Sequence, residues 1–373
     1  MPGQRLTVVQ LLPALESGGV ERSTIEIAQA LAGAGHRAVV VSAGGRLLPA
    51  LQATGARHVA LDIGRKSPLT FRHAARLRRL FAELDADIVH ARSRLPAWVG
   101  WRALQGLPHE RRPRFVTTVH GLNSPSRYSA IMARGERVIC VSATVRAHVL
   151  RHYPHTDPAL LRVIPRGIDP AAFPRAPVPD IEARGRAAER FPELGGSGPL
   201  LLLPGRGTRL KGHADALALL ASLRAQGTDA RLWMPGAREQ GRARYLDELE
   251  GLAGRLGVAQ ALAMTPPTAQ IAEAYAASNL VLQLSRKPEA FGRTVLEALS
   301  VGRPVLGWDH GGVGELLREL QPSGAVAAFD QQQLVARARV LLQQPPAPPA
   351  TIPYTLSAMQ DATLAVYDEL HRR

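Results

Sequence analysis

Two glutamates, Glu289 and Glu297, bracket the segment Ser285-Arg286-Lys287-Pro288-Glu289-Ala290-Phe291-Gly292-Arg293-Thr294-Val295-Leu296-Glu297. Pro288 and Gly292 keep Glu289 in a loop, whereas Glu297 falls about a turn and a half into the helix that starts near Gly292. One carboxylate can then meet sugar hydroxyls and the other a ribose, while the N–H groups of Ala290, Phe291 and Gly292 between them point at phosphate. Capping and complementing the helix dipole would need the same two residues, so spacing alone leaves both readings open. A second constellation is Pro204-Gly205-Arg206-Gly207-Thr208-Arg209-Leu210-Lys211-Gly212-His213. Arg206 and Lys211 are two cations that can hold a diphosphate without a metal. The chain has only three lysines, Lys66, Lys211 and Lys287, so one at a glycine-flanked helix start stands out. The order Lys-Gly, instead of Gly-Lys-Ser/Thr, argues against a nucleotide-hydrolysing P-loop. Near the start, Gly18-Gly19-Val20-Glu21 opens a helix whose first N–H groups favour an anion or sugar hydroxyls; a tight turn would need the same glycines.

These residues converge only if the chain is built as strands ending in ligand-facing loops. Apolar, β-branched runs at 6–12, 38–42, 58–63, 87–91, 114–120, 137–142 and 161–165 alternate with helical patterns such as 20–34, 69–84 and 142–152. That alternation predicts a doubly wound parallel sheet. A Pro-rich stretch at 165–179 reads as a linker, after which the alternation restarts with strands at 199–205, 230–234, 261–265, 280–285 and 304–308. The expected organisation is α/β: two Rossmann-like domains, 1–175 and 176–350, facing a cleft, then residues 351–373 with a last helix at 355–370 that can return to the first domain. Ligands in open parallel sheets sit beyond the carboxyl ends of the strands, where Gly19, Arg92, Arg94, His120, Arg206, Lys211 and Glu289 all fall.

Of the chain's net charge of +15, almost all belongs to its first half, where residues 1–175 hold 25 Lys+Arg against 11 Asp+Glu. A one-sided positive field concentrates anionic partners. Arg72, Arg76, Arg78 and Arg79 in one helix, with Arg111, Arg112 and Arg114 before a strand, can meet an acidic membrane surface or form a solvated face. Nucleic acid is disfavoured because aromatic residues are sparse and not interleaved with the arginines. The single cysteine, Cys140, excludes disulfides and cysteine-based metal sites and reads as a buried, inert thiol. Asp85-Ala86-Asp87 has the form of a metal-binding element but lies at the amino-terminal end of a strand, so no metal is expected. No apolar run approaches the roughly 18 residues of a membrane span, and no signal-peptide cleavage pattern follows the first apolar run. The expectation is a cytoplasmic protein, at most peripheral at the inner face of the membrane.

Five ordered elements, Gly18-Gly19-Val20-Glu21, Thr118-Val119-His120-Gly121, Ile164-Pro165-Arg166-Gly167-Ile168-Asp169, Gly205-Arg206…Lys211-Gly212 and Glu289…Glu297, are similar in order and spacing to retaining glycosyltransferases of family 4, with the GT-B fold. The resemblance runs from about residue 6 to 320. It implies that Arg206 and Lys211 neutralise the diphosphate of a nucleotide-sugar donor, that Glu289 contacts the donor sugar, that Glu297 holds the ribose, and that His120 lies near the sugar as a catalytic group. It also implies hexosyl transfer without a metal or other cofactor. Gly19, Ala290, Phe291 and Gly292 would complete the donor site, and Arg92, Arg94 and Glu21 would meet the acceptor. Two departures are Arg166, where the family commonly has asparagine, and Met234-Pro235-Gly236-Ala237, which lacks the usual acidic residue after glycine. Residues 90–98 and Arg166-Gly167-Ile168-Asp169 resemble the bacterial enzymes of lipopolysaccharide core assembly, which implies an anionic glycolipid acceptor. A sugar-nucleotide epimerase or a phosphorylase with the same fold is the alternative reading.

Overall fold

The fold, obtained as a computed structural model, describes residues 5–16, 18–239 and 241–372. The chain forms two compact units, residues 1–166 with 356–373, and residues 167–355. In unit 1 the order is β1 (Thr7–Leu11), α1 (Gly19–Gly33), β2 (Arg37–Ser42), α2 (Leu48–Ala53), β3 (Arg57–Ala60), α3 (His73–Glu83) and β4 (Ile88–Ala91). It continues with α4 (Arg94–Gln105), β5 (Arg114–Val119), β6 (Arg137–Cys140), α5 (Ala143–His152) and β7 (Leu161–Val163). The strands pair in parallel in the order β3-β2-β1-β4-β5-β6-β7. A sheet covered by helices on both faces is buried on both, which is why β2 reads Ala-Val-Val-Val instead of alternating. The helical pattern at 69–84 divides into a 3-10 turn, Pro68–Arg72, and α3, because Ser67 caps the turn by accepting from the Leu69 amide. Cys140 is buried, and burial pushes its thiol up to about 12. Asp87 of the Asp-Ala-Asp element is used by the fold: its Oδ2 accepts from the Thr7 amide at 2.7 Å.

Unit 2 continues with α6 (Ile181–Arg190), β8 (Leu200–Leu202), α7 (His213–Ala225), β9 (Arg231–Pro235), α8 (Ala243–Arg255), β10 (Leu262–Thr265) and α9 (Ile271–Ala277). Then come β11 (Leu280–Gln283), α10 (Arg293–Val301), β12 (Val305–Trp308), α11 (Gly311–Leu320), β13 (Ala325–Val326) and α12 (Gln331–Gln343). Its parallel order is β10-β9-β8-β11-β12-β13. β13 was not expected, since a two-residue strand shows no periodicity; it exists because Gly307 and Trp308 of β12 offer it a ladder edge. The core on one face is aliphatic and tight, with Leu201, Leu203, Leu217, Leu220, Leu232 and Met234 all buried.

The last helix, α13 (Leu356–His371), belongs to unit 1, as its sequence position beyond the second sheet allowed. Met359, Val366, Tyr367 and Leu370 enter the core formed by Leu6, Val8, Ile27 and Leu31. Two polar locks fix it there. Glu369 accepts from Arg137, whose Nε lies 3.1 Å from Oε2, and from Arg162 at 3.3 Å. The fully buried Tyr367 hydroxyl meets His90 Nδ1 at 2.7 Å, and the other ring nitrogen of His90 meets Thr118 Oγ1 at 2.6 Å. Burial, then Arg92 and Arg166, hold the His90 pKa well below its usual value, so the ring is neutral and serves as a bridge between β4, β5 and α13. Tyr367→Phe removes one partner and leaves a buried ring nitrogen unsatisfied. A loss of about 1–3 kcal/mol is expected in chemical denaturation of the variant; unchanged stability would mean that the bridge does not hold α13.

Candidate active site

In both sheets the strand order reverses beside the first strand, between β1 and β4 in unit 1 and between β8 and β11 in unit 2. At such a reversal the chain leaves neighbouring strands toward opposite faces, and the loops diverge to leave a crevice. The loop after β8 carries Arg206 and Lys211; the loop after β11 carries Glu289. Lys211 Nζ donates to Glu289 Oε1 at 2.6 Å, with the side chains 30% and 24% exposed. The two residues, distant in sequence, are thus half-open to solvent at the crevice.

Backbone geometry forces this meeting. Gly212 is left-handed, with φ 75°, and a Cβ there would stand 2.0 Å from the Leu284 carbonyl oxygen, so the Lys211 turn lies directly on the end of β11. The Arg286 amide donates to the Leu210 carbonyl at 2.8 Å and stitches the loops together. From the other side, Gly311 has φ 60° and no room for a Cβ beside the Glu289 backbone, and the Gly312 amide donates to the Glu289 carbonyl at 2.8 Å. Glu289 Oε1 also lies within hydrogen-bond reach of Ser285 Oγ, which in turn is 2.9 Å from Gln283 Oε1. His310 Nε2 lies 2.8 Å from the Ser285 carbonyl oxygen. Sequence reading gave no role to Gln283 and His310; His310 sits beside Gly311-Gly312, the one local signal that this turn packs closely on another backbone.

Arg206 is exposed at the same strand end, and its side chain has no hydrogen bond or ion pair among the described residues, so its guanidinium is available to an anion. α10 begins after Gly292, which brings no side chain to cap the helix start. Glu297 lies within α10, 8% exposed, and its Oε2 accepts from the buried Tyr275 hydroxyl at 2.7 Å. One oxygen is thereby oriented by the protein. Ala290 and Phe291 link Glu289 to the helix start, with Phe291 buried against Tyr354.

In unit 1 the carboxyl ends of β1, β4, β5 and β7 gather a different set. Gly19 starts α1, and a Cβ there would meet nothing within 4 Å. Glu21, two residues into the same helix, folds its carboxylate back to within 2.7 Å of where a Gly18 Cβ would be. Arg92 is 3% exposed; its Nε donates to Gln10 Oε1 at 2.7 Å and its Nη1 to Ser23 Oγ at 3.3 Å, while Nη2 has no partner among the described residues. Arg94 is half-buried, donating to Ser129 Oγ at 3.2 Å with its guanidinium over the Tyr128 ring. Arg92 thus points inward to α1, and Arg94 lies against the 3-10 turn Ser129–Ala133. His120, partly buried, accepts from Arg166 Nη2 at Nδ1, 2.5 Å away. Burial and then Arg166, Arg92 and His90 hold its pKa well below the usual value.

Residues 17–172 match the family model described as Glycosyltransferase Family 4, and residues 186–355 match that described as Glycosyl transferases group 1. A D-inositol 3-phosphate glycosyltransferase of Jonesia denitrificans is 31% identical over 252 residues, which is 61% of this chain and 56% of that protein's length. A glycosyltransferase from Rickettsia africae superposes with a TM-score of 0.85 over 99% of both chains, at 26% identity. Anabaena Alr3699/HepE, solved in complex with UDP and glucose, shares the fold with a TM-score of 0.77 over 98% of this chain and 96% of its own, at 20% identity.

Gly212→Ala tests the turn that delivers Lys211. Left-handed backbone and the clash with the Leu284 carbonyl act together, so a loss of about 2 kcal/mol or more is expected in denaturant titration. A variant as stable as the original would show that the two loops are not held against each other.

Proposed function

The chain belongs to glycosyltransferase family 4, and on that premise we propose that it transfers a hexosyl group from a nucleoside diphosphate sugar to an acceptor hydroxyl, with retention of anomeric configuration and without a metal. The observation that carries this reading is the Lys211–Glu289 pair at the crevice of unit 2, with Arg206 unpartnered among the described residues beside it. Cleavage of the anomeric bond develops negative charge on the departing diphosphate and positive charge on the sugar ring. Lys211, Arg206 and the start of α10 are the donors suited to the first charge, and the Glu289 carboxylate is suited to the second. The free Glu297 oxygen can accept from a ribose hydroxyl while Tyr275 orients the other. His120 of unit 1 is assigned to the donor sugar, and Arg94 and Glu21 to the acceptor side; Arg92, expected there from the sequence, is buried and turned inward to Gln10 and Ser23, so it holds α1 and is not offered to an acceptor.

For the acceptor, this reading takes an anionic, lipid-linked oligosaccharide of the lipopolysaccharide-core kind at the inner face of the cytoplasmic membrane. The inositol phosphate named for the Jonesia relative is likewise a phosphorylated acceptor, which supports anion recognition. Among the described residues no helix is long and apolar enough to cross a membrane, so contact would be peripheral. Unit 1 offers a surface for it. α3 buries Ala74, Leu77, Leu80 and Phe81 and leaves Arg76, Arg78 and Arg79 exposed, next to exposed Leu69 and Phe71. Arg78 lies against Gly106 at the end of α4, and Arg112 donates to the next carbonyl, Leu107, so two arginine clusters distant in sequence form one basic face. Since the apolar side of α3 is already packed, charge would dominate, at about 1 kcal/mol per cation near an acidic surface.

Two measurements test these assignments. In EDTA, one of UDP, GDP or ADP at a hundredfold excess over its Kd should stabilise the protein by about 2.7 kcal/mol, and less in Lys211→Ala, whose turnover should fall about 10²-fold. No stabilisation by any diphosphate, or full activity of the variant, would remove the donor assignment. In flotation at low salt, the protein should rise with vesicles rich in phosphatidylglycerol, not with phosphatidylcholine alone, and should be released at high salt. Arg72→Ser, Arg76→Ser and Arg79→Ser combined should abolish flotation; equal flotation with both vesicle types would end the membrane reading.

A further inference from the structure

Where the family commonly has asparagine, this chain has Arg166, and its side chain is turned to the same imidazole that the donor-site reading uses. Arg166 follows β7; its Nη1 donates to Ser23 Oγ in α1 at 2.7 Å and lies 3.7 Å from Met359 Sδ in α13, while its Nη2 reaches His120 after β5. A guanidinium has N–H donors and no lone pair to offer. Its partner, His120 Nδ1, must therefore be the unprotonated, accepting nitrogen, and the proton of the neutral ring must sit on Nε2. The same Nη2 is 3.5 Å from Nε2, but the contact at 2.5 Å is the hydrogen bond. We infer that Arg166 is a positioning residue that locks His120 as the neutral Nε2–H tautomer, so that this edge presents a hydrogen-bond donor without positive charge.

Three positively charged or titratable groups face His120: Arg166 behind Nδ1, Arg92 after β4, and His90 in β4. Protonation would place a third charge beside two guanidinium groups in a partly buried position, which disfavours the imidazolium in addition to the hydrogen bond. The lock matters because of the charge that develops during transfer. A sugar ring acquiring positive character is opposed by an imidazolium beside it, whereas a neutral N–H donor can orient a sugar hydroxyl without adding a like charge. Asparagine at 166 would be shorter and uncharged, so it would remove both the hydrogen bond that fixes Nδ1 and one of the charges beside the ring, while burial and Arg92 would remain. The inference rests on the donor-sugar role proposed for His120, whereas the protonation state itself does not.

The test separates the two. In long-range proton–nitrogen spectra of histidine-labelled protein, wild-type His120 should show a protonated Nε2 and an unprotonated Nδ1 that persist well below the pH where an ordinary imidazole titrates. Arg166→Asn should give mixed tautomers and raise the pKa by about one unit or more, while Arg166→Lys, which keeps a charged donor, should retain the wild-type pattern. In the pH dependence of kcat/KM, Arg166→Asn should gain an acid limb at the pH where its His120 titrates; Arg166→Lys should not. Wild-type His120 protonated on Nδ1, an unmoved spectrum in Arg166→Asn, or an Arg166→Asn profile without the new limb would each overturn the inference. If instead no donor is turned over by any form, the spectra still decide the lock, and the failure belongs to the donor reading.

Discussion

The arrangement of unit 2 depends on one reversal of strand order. Because β8 and β11 are neighbours whose connections leave toward opposite faces, the loops that follow them diverge and then meet at a single ion pair, Lys211 with Glu289. Everything around the pair holds these two loops in place: the Gly212 turn pressed on the Leu284 carbonyl, the Arg286–Leu210 backbone bond, and the start of α11 packed on the Glu289 backbone. A half-exposed ion pair contributes little to stability on its own. Its significance is that opposite charges with partly solvated side chains are set where an anion and a ring with cationic character would each find a partner. Within the fold the two charges neutralise one another, and a bound diphosphate would have to take Lys211 away from Glu289.

Unit 1 places its charges differently. Arg92 and Arg166 converge on Ser23 at the beginning of α1, and both act on His90 and His120. Burial, and then the neighbouring cations, keep both imidazoles neutral, and α13 packs on the cluster through Tyr367 and Met359. The helix that ends the chain is therefore part of the polar interior of unit 1 as well as its apolar core.

Much of this was legible in the sequence. Runs such as Ala38 to Val41 and the leucines of β8 read as buried parallel strands, and the Pro-rich stretch at 165–179 marked where the alternation pauses. Glycines flanking Arg206 and Lys211 indicated which loops approach other backbones. What the sequence did not show are contacts made by single polar atoms across long separations. Tyr275 on Glu297 and Tyr367 on His90 are of this kind, since a buried tyrosine on a helix reads as core until its hydroxyl's neighbour is known. Arg92 at a strand end looks like a ligand-facing cation; that it turns inward to Gln10 and Ser23 follows from packing that no local pattern carries. β13 was missed because two residues are too few to establish a period.

The central claim, that Lys211 exchanges Glu289 for a donor diphosphate, is tested most directly by calorimetric titration of the nucleoside diphosphate in EDTA into wild type, Glu289→Gln, Lys211→Ala and the double variant. Removing the carboxylate frees Lys211 and relieves repulsion of the phosphates. Glu289→Gln should therefore bind the diphosphate about fivefold more tightly than wild type, on the order of 1 kcal/mol, and the gain should vanish when Lys211 is also replaced. Weaker or unchanged binding by Glu289→Gln, or the same gain without Lys211, would contradict the exchange.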